Sequence, residues 1–221
     1  MRKYSLLFIL LSLAVSMQAI AQKLTEGKVV YEISFPEMEL DEQTKSMMPT
    51  ESVIYFKDNL MRMEMKMMGM STIVINNQKD NSATTLMDLM GNKYSIRMSA
   101  EEIEKEKEKM SLPKYETKLS NETKVIAGYK CNKAVASTKD GNEIVIYYTK
   151  DIIAKNSNFN DQYKNVDGFP MEYQLTQNGM NMKLIAKTVS KEKVDPSMFT
   201  IPADYKPTTK EELGKMFGGK K

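Results

Sequence analysis

Residues 51–66, ESVIYFKDNLMRMEMK, alternate apolar and polar side chains on both sides of Asp58-Asn59, a residue pair typical of two-residue hairpin loops. Counting outward from this loop gives the cross-strand pairs Phe56 with Met61, Ile54 with Met63, and Ser52 with Met65. One face is then apolar, and the other places Glu51 opposite Lys66, an oppositely charged pair that favours the same register. The stretch therefore predicts an antiparallel β-hairpin with a methionine-rich face.

Two other segments show the same pattern of alternation around a turn. In residues 84–98, TTLMDLMGNKYSIRM, a turn at Gly91-Asn92 places the following side chains on one face: Met87, Leu89, Tyr94, Ile96 and Met98. In residues 171–186, MEYQLTQNGMNMKLIA, a turn at Asn178-Gly179 places these on one face: Met171, Tyr173, Leu175, Met182 and Leu184. Both segments predict further hairpins.

Additional strands are predicted at 28–35, 70–76, 123–137 and 142–149, with Asp140-Gly141 joining the last two. These segments predict a β-rich domain of roughly eight to eleven strands. No repeat or low-complexity linker divides the chain, so residues 22–207 are expected to form a single domain.

Three short helices are predicted between or after the strands. Ser99 and Glu102 form a capping box that begins a charged surface helix, which Pro113 ends. Between Pro36 and Pro49, the spacing of Leu40, Thr44, Met47 and Met48 indicates either a short amphipathic helix or an ordered excursion between the first two strands. In the tail, residues 208–221, a stub of helix is indicated by Leu213, Met216 and Phe217, and the final GGKK is expected to be frayed.

The first residues read as an export signal rather than as part of the fold. Arg2 and Lys3 precede an apolar run over residues 6–15, and the small residues Ala19 and Ala21 flank a cleavage site. Cleavage after Ala21 leaves Gln22 first, without the cysteine that a lipoprotein requires. The expected location is therefore periplasmic or secreted, with no membrane-spanning segment after cleavage.

Composition excludes several classes of function. Because the chain contains no histidine, it has no Ser-His-Asp or Cys-His machinery and no imidazole metal site. Its 32 basic and 29 acidic residues are interspersed, so a nucleic acid is not an expected partner. No catalytic motif occurs, and we expect neither an enzyme nor a cofactor. The single cysteine, Cys131, forms no internal disulfide and reads as a small buried apolar residue.

Most of the 20 methionines lie between Met38 and Met110, and none lies between residues 111 and 170. This clustering has two readings, an ordinary packed core and the wall of an apolar ligand site, because flexible methionine suits both. The candidate ligand-binding face consists of Ile54, Phe56, Met61, Met63, Met65, Met87, Leu89 and Met98.

A third reading is a Cu(I) site of thioether ligands, formed by Met63, Met65 and Met70. Residues two apart on one strand are nearly 7 Å apart, so the ligands must come from neighbouring strands. Convergence of three sulfur atoms is therefore hard to achieve on a strand of regular register.

Two segments resemble a known family of exported bacterial proteins. They are TKVIAGYKCNKAVASTKDGNEIVIYYTKDI (residues 123–152) and VDPSMFTIPADYKP (residues 194–207), and they resemble a family catalogued as a domain of unknown function (family 4412 type) and the related GLPGLI-type proteins. The shared I-x-G-Y-x-C-x-x-A motif is carried by Ile126, Gly128, Tyr129, Cys131 and Ala134, and the terminal F-x-I-P-x-x-Y motif by Phe199, Ile201, Pro202 and Tyr205. The GLPGLI hexapeptide is absent, and DGFPMEY (residues 167–173) stands in its place.

More distantly, the layout is similar to the LolA/LolB-like superfamily. That resemblance implies a mainly β fold, an antiparallel meander forming a half-open barrel, with helices near residues 37–48 and 99–110 covering an apolar concave face. The expected function is binding of a lipid or another apolar small molecule. The alternatives are a structural or interaction protein with a filled core, which would bind an envelope protein, and the Cu(I)-binding protein.

Overall fold

The computed structural model describes residues 23–36, 38–39, 41–109, 115–139, 141–154, 159, 163, 165–177 and 180–217, with backbone alone at 176, 177 and 180. The predicted signal sequence (residues 1–21), the helix stop at Pro113, the turn residues Asp140 and Asn178-Gly179, and the GGKK ending lie outside these residues.

Within the described ranges, twelve strands form one open sheet, and neighbouring strands are antiparallel except β12, which is parallel to β6. The strands are β1 (Glu26–Ser34), β2 (Glu51–Lys57), β3 (Leu60–Met67), β4 (Met70–Asn77), β5 (Ser82–Leu89), β6 (Asn92–Met98), β7 (Glu116–Ile126), β8 (Tyr129–Ser137), β9 (Glu143–Thr149), β10 (Phe169–Gln177), β11 (Met180–Ser190) and β12 (Lys206–Pro207). Their order is β12-β6-β5-β4-β3-β2-β1-β11-β10-β9-β8-β7. The predicted mainly β, incomplete-barrel architecture is confirmed.

The hairpin at residues 51–66 has the predicted register. Lys57 pairs with Leu60 across Asp58-Asn59, and the pairs of Phe56 with Met61, Ile54 with Met63 and Ser52 with Met65 all form. The predicted shared face of β10 and β11 is confirmed as well, because Leu175 pairs with Met182 and Tyr173 with Leu184.

The second hairpin turns one residue earlier than predicted. Leu89 pairs with Asn92, so the loop is Met90-Gly91 rather than Gly91-Asn92. Both loop residues have positive φ, 54° and 91°, as a tight hairpin turn requires. The Asp88 carboxylate accepts a hydrogen bond from the Gly91 N–H at 2.7 Å. The register shifts by an even number of residues, and the predicted face keeps its members.

The strand predicted at 123–137 is two strands. Ile126 pairs with Tyr129, and the chain reverses at Ala127-Gly128, whose φ values are 49° and 84°. Sequence reasoning missed this turn because alanine rarely adopts positive φ. β7 also begins earlier, at Glu116, and the two-residue β12 was not predicted. The count of twelve strands therefore exceeds the predicted eight to eleven.

Helices with described bounds accompany the sheet: α1 (Glu42–Met47), α2 (Ala100–Lys109), a 3-10 helix (Pro196–Phe199) and α3 (Lys210–Phe217). The capping box of α2 forms as predicted, since the Ser99 N–H donates to Glu102 Oε2 at 2.7 Å and the Glu102 N–H donates to Ser99 Oγ at 3.3 Å. Asp41 is the N-cap of α1, and its carboxylate accepts a hydrogen bond from the Thr44 N–H. Neither α1 nor α2 contains a buried residue.

The sheet is strongly curled. Phe56 on β2 and Phe169 on β10 are three strand positions apart, which is about 14 Å in a flat sheet. Their ring centroids are only 5.9 Å apart. Tyr31 on β1 packs edge-on against Tyr173 of β10, also at 5.9 Å, and donates its hydroxyl hydrogen to the Pro170 carbonyl at 2.6 Å. The face that carries Phe56 and Tyr31 is therefore the concave one, and the core lies within it.

The connection from β6 to β7 requires the same curling. These strands are ten positions apart in the sheet, or about 48 Å if the sheet were flat. Residues 99–115 include the 10-residue α2, about 15 Å long, and the rest reach at most about 25 Å. The two ends of the sheet must therefore lie closer together than they would in a flat sheet.

The C-terminal segment crosses the convex face. The Val194 N–H donates to Glu26 on β1, Arg62 on β3 donates to the Met198 carbonyl at 2.6 Å, and the Thr208 N–H donates to the Ser95 carbonyl on β6 at 2.9 Å. We call residues 194–208 the strap. It holds the F-x-I-P-x-x-Y motif, which is thereby placed outside the barrel.

Candidate functional site

Strands β2 to β6 present one continuous surface on the concave side, which we call the methionine face. Its members, by cross-strand pairing, are Ser52, Ile54, Phe56, Met61, Met63, Met65, Met67, Met70, Thr72, Val74, Asn76, Ala83, Thr85, Met87, Leu89, Asn92, Tyr94, Ile96 and Met98. All eight residues of the candidate site lie on it. The sequence pattern therefore brought together residues from four strands, β2, β3, β5 and β6.

The methionine face has no charged side chain. The opposite face of the same strands carries Lys57, Arg62, Glu64, Asp88 and Arg97 among its members. An exposed β-surface normally mixes charges with apolar residues, because exposed apolar area is unfavourable in water. The methionine face therefore differs from its opposite face in having no charge, although it carries the polar residues Thr72, Asn76, Thr85 and Asn92.

Half of the candidate residues belong to the core. Ile54, Phe56, Met61 and Met63 are buried, with Met61 only 2% and Met63 7% exposed, and they pack in the main hydrophobic cluster. That cluster continues across β1 and β8–β11. At these positions methionine fills space as leucine would.

The other half of the candidate residues lies at the margin of the core or beyond it. Met65 is half-buried against the cluster, while Met87, Leu89 and Met98 are half-buried outside it. Beside them on the methionine face, Met67 is 37% exposed and Met70 is half-buried. The uncovered region, defined as Met65, Met67, Met70, Met87, Leu89 and Met98, is thus a group of apolar side chains open to solvent, with Thr72 between Met65 and Met87.

Aromatic residues from outside the predicted strands complete the core. Phe159 and Tyr163, between β9 and β10, are fully buried, with ring centroids 5.1 Å apart. Phe159 also meets Tyr173 at 5.3 Å, and the Tyr163 hydroxyl donates to the Gln174 carbonyl at 2.8 Å. Tyr115 packs on Tyr163 at 5.2 Å. Sequence reasoning missed this cluster, since the aromatic residues of NFNDQY (residues 158–163) follow no strand period.

One polar side chain interrupts the buried part of the methionine face. Ser52 pairs with Tyr31 on one side and with Met65 on the other, and it is 0% exposed. Within the part of the chain that the structure describes, its hydroxyl has no hydrogen-bond partner. The same cross-strand row continues through Thr72, Met87 and Tyr94.

The residues of the Cu(I) reading, Met63, Met65 and Met70, all lie on the methionine face, but their environments differ. Met63 is buried in the core, Met65 is half-buried, and Met70 lies diagonally from Met65 on the next strand, because Met65 itself pairs with Thr72. Among the described residues, no group of three or more histidine, cysteine, aspartate or glutamate side chains is placed to hold a metal.

The strongest buried electrostatic cluster lies away from this face. The Glu172 carboxylate on β10 is 8% exposed and pairs with Lys124 at 2.7 Å and Lys183 at 2.9 Å. Burial by itself raises the pKa of Glu172, but the two lysine hydrogen bonds outweigh it and hold the pKa below its ordinary value of 4.5. The residue is therefore an ionised structural link between strands.

Cys131 is a buried free thiol, as predicted. Burial raises its pKa to about 11, so the thiol stays protonated and unreactive near neutral pH.

In the described part of the chain, two surface clefts outside the methionine face have linings that mix polar and apolar groups. One, of about 420 Å³, is bordered by Asp80, Ser82, Arg97, Ser99, Ala100 and Glu102. The other, of about 360 Å³, lies between the β2–β3 turn and residues 150–154 and 166–168, and Lys150 pairs with Asp167 at 3.5 Å on its border. Neither carries a grouping of acid, base and nucleophile that indicates a reaction.

Comparison with solved structures shows a likeness of fold. PNGF-II is similar in two crystal forms, with TM-scores of 0.53 and 0.50 at 18% and 17% identity over 86% and 88% of this chain. The chain spans about a third of the length of PNGF-II, 32% and 33%. MucB is similar with a TM-score of 0.35 at 10% identity, over 83% of this chain and 59% of that one.

Sequence comparison assigns the family. No curated protein matches the chain. In the described part of the chain, no helix has both the length and the apolar character needed to span a membrane. A family model described as "Domain of unknown function (DUF4412)" matches residues 36–205, which is well over half of the chain. The chain therefore belongs to the DUF4412 family.

Proposed function

We propose that this chain is an exported, non-enzymatic binding protein that holds a lipid or another apolar small molecule on the uncovered region of the methionine face. One observation carries the proposal: a solvent-open surface across four strands, β3 to β6, has no charged side chain. Leaving apolar area in water costs about 25 cal/mol per Å², so covering this surface with a ligand is favourable.

The character of the side chains also supports a ligand of irregular shape. Met65, Met67, Met70 and Met87 are unbranched, with three rotatable bonds and a polarizable sulfur, and they can adapt to different apolar partners. The proposed site is therefore narrower than the sequence prediction, because Ile54, Phe56, Met61 and Met63 are already packed against protein.

Native mass spectrometry of protein purified from its own envelope fraction tests the proposal. We expect a co-purified lipid mass, lost in Met87→Glu and retained in the matched variant Thr84→Glu, which adds the same charge to the opposite face of β5. The proposal would be wrong if the spectrum showed only the mass of the ligand-free protein and added lipid did not bind. N-terminal sequencing of the same sample tests export, for which Gln22 is the expected first residue.

A protein partner is a second candidate function, favoured by the edge strand β7. This strand ends the sheet and exposes Leu119 (60%) and Val125 (69%), as well as its outer backbone groups. An added strand from an envelope protein would pair there. Lipid-free protein that captures a partner, with capture lost in Val125→Pro and kept in Met87→Glu, would favour this function over lipid binding.

A further inference from the structure

A buried serine hydroxyl is unexpected at position 52 if the methionine face packs only against protein. It is fully buried, and no side-chain or backbone group of the described residues bonds to it. A buried hydroxyl without a partner destabilises a folded chain, and alanine would fill nearly the same space without that penalty. The position therefore points to a partner that the described residues do not supply.

The neighbours of Ser52 show where that partner would come from. On β1, the Tyr31 hydroxyl does not donate to Ser52, because it donates to the Pro170 carbonyl at 2.6 Å. On β3, Met65 is half-buried and belongs to the uncovered region. Rotation of this flexible side chain would open Ser52 to a molecule lying on the methionine face.

The chemistry of the partner follows from the charges around it. The methionine face has no cationic or anionic side chain, so a carboxylate or phosphate buried at Ser52 would have no counter-charge. A neutral oxygen, in an ester or an alcohol, would accept or donate one hydrogen bond at no such cost. Beyond Met65 the row continues through Thr72 and Met87, which gives an acyl chain apolar contact on adjacent strands.

We propose that Ser52 is the polar anchor of the ligand site, where it hydrogen-bonds the neutral ester or alcohol group of an acyl-chain amphiphile whose chain lies over Met65 and Met87. This inference rests on the proposed function and adds the substrate class, which is a neutral rather than an anionic lipid. Ser52 selects by its hydroxyl, and the methionines supply non-selective apolar contact.

Binding of three probes by Ser52→Ala tests the inference. The probes are monooleoylglycerol, which is neutral, oleate, which is anionic, and pyrene, which has no hydrogen-bonding group. We expect Ser52→Ala to weaken monooleoylglycerol binding about fivefold, the effect of one hydrogen bond, and to leave pyrene binding unchanged. The matched control is Ser95→Ala, a buried serine on the opposite face of β6, which should change neither.

Stability of the ligand-free protein gives an independent readout. Because Ser52→Ala removes an unpaired hydroxyl, its urea unfolding midpoint should equal or exceed that of the wild type. A lower midpoint or an unfolded variant would mean that the hydroxyl has a structural partner, and would overturn the inference.

The remaining outcomes separate the inference from the proposed function. Equal weakening of pyrene and monooleoylglycerol, or no weakening of either, would overturn the role of Ser52 and leave apolar binding standing. Tighter binding of oleate than of monooleoylglycerol by the wild type would overturn the neutral substrate class. A wild-type protein that binds none of the three probes would overturn the proposed function, and the inference with it.

Discussion

Single methionines of the methionine face have opposite roles according to depth. We expect Met61→Ala, at a buried position, to lower the free energy of unfolding by about 2–5 kcal/mol, because it leaves a cavity in the core. Met87→Ala, at a half-buried position, should cost about 1 kcal/mol or less. Urea denaturation followed by circular dichroism measures both.

Ligand uptake should rank the same two variants in the reverse order. Met87→Ala should reduce lipid uptake in native mass spectrometry, whereas Met61→Ala should bind as the wild type does once folded. Equal losses of stability in the two variants would contradict the assignment of Met61 to the core and Met87 to the uncovered region.

The reactivity of Cys131 follows from its burial. Since its pKa is raised to about 11, the thiolate that attacks thiol reagents is scarce at neutral pH, and the sulfur is also inaccessible. We expect a chromogenic disulfide reagent to react with the native protein only at the rate of unfolding, and within seconds in strong denaturant. Rapid labelling of the native protein would show that β8 opens locally.

The sequence predicted which face each residue lies on, but it did not predict how deeply each side chain is buried. Alternation correctly assigned Met61, Met63 and Met87 to one face, because side-chain direction on a strand follows from local pairing. Which of them is covered depends on Phe169 and Phe159, distant residues that reach Phe56 and Tyr173 only because the sheet curls. The alternation of apolar and polar residues along a strand carries no information about how strongly the sheet curls.

At the scale of elements, Glu172 links three strands, and its titration should shape acid stability. The pKa of Glu172 in the folded chain lies below its ordinary value of 4.5. Its contribution is therefore fully present above the unfolded pKa and is lost as the pH falls through the folded pKa. We expect the free energy of unfolding to fall with decreasing pH below about 4.5, and Glu172→Gln to flatten this slope.

Urea unfolding of both proteins between about pH 3 and pH 6 measures the difference. At pH 6, Glu172→Gln should be less stable than the wild type because Lys124 and Lys183 lose their charged partner. Lys187→Gln is a suitable control, since the pair it forms with Glu32 is half-exposed and contributes little. Parallel pH profiles for the wild type and Glu172→Gln would contradict the ionised link.

Elements were predictable where the turn residues follow common preferences. Asp58-Asn59 and the Ser99 capping box are local signals, and both formed as predicted. Two turns were placed wrongly or missed because Met90 and Ala127 adopt positive φ, which their side chains disfavour and only the surrounding ladder enforces.

At the scale of the molecule, a buried hydrogen bond connects strands β1–β6 to strands β7–β11, which meet where β1 pairs with β11. Tyr31 on β1 donates to Pro170 on β10 and bypasses β11, which lies between them. We expect Tyr31→Phe to lower the free energy of unfolding by about 1–2 kcal/mol, since the carbonyl loses its buried partner.

We expect Tyr31→Phe to unfold in a single cooperative transition, as the wild type should. Both halves share one core, so far-UV and near-UV circular dichroism should report coincident urea midpoints in the wild type and in Tyr31→Phe. Two separated midpoints would mean that β1–β6 and β7–β11 unfold as independent units.

The position of β1 in the middle of the sheet has a consequence for biosynthesis. β1 is made first among the strands, yet its partner β11 is complete only when Ser190 has left the ribosome. Until then β1 cannot pair with β11, and the concave side lacks strands β7–β11. Bringing together strands so far apart in sequence is slow. We expect a chain with this strand order to stay loosely structured until Ser190 has been made, which is compatible with the export proposed above.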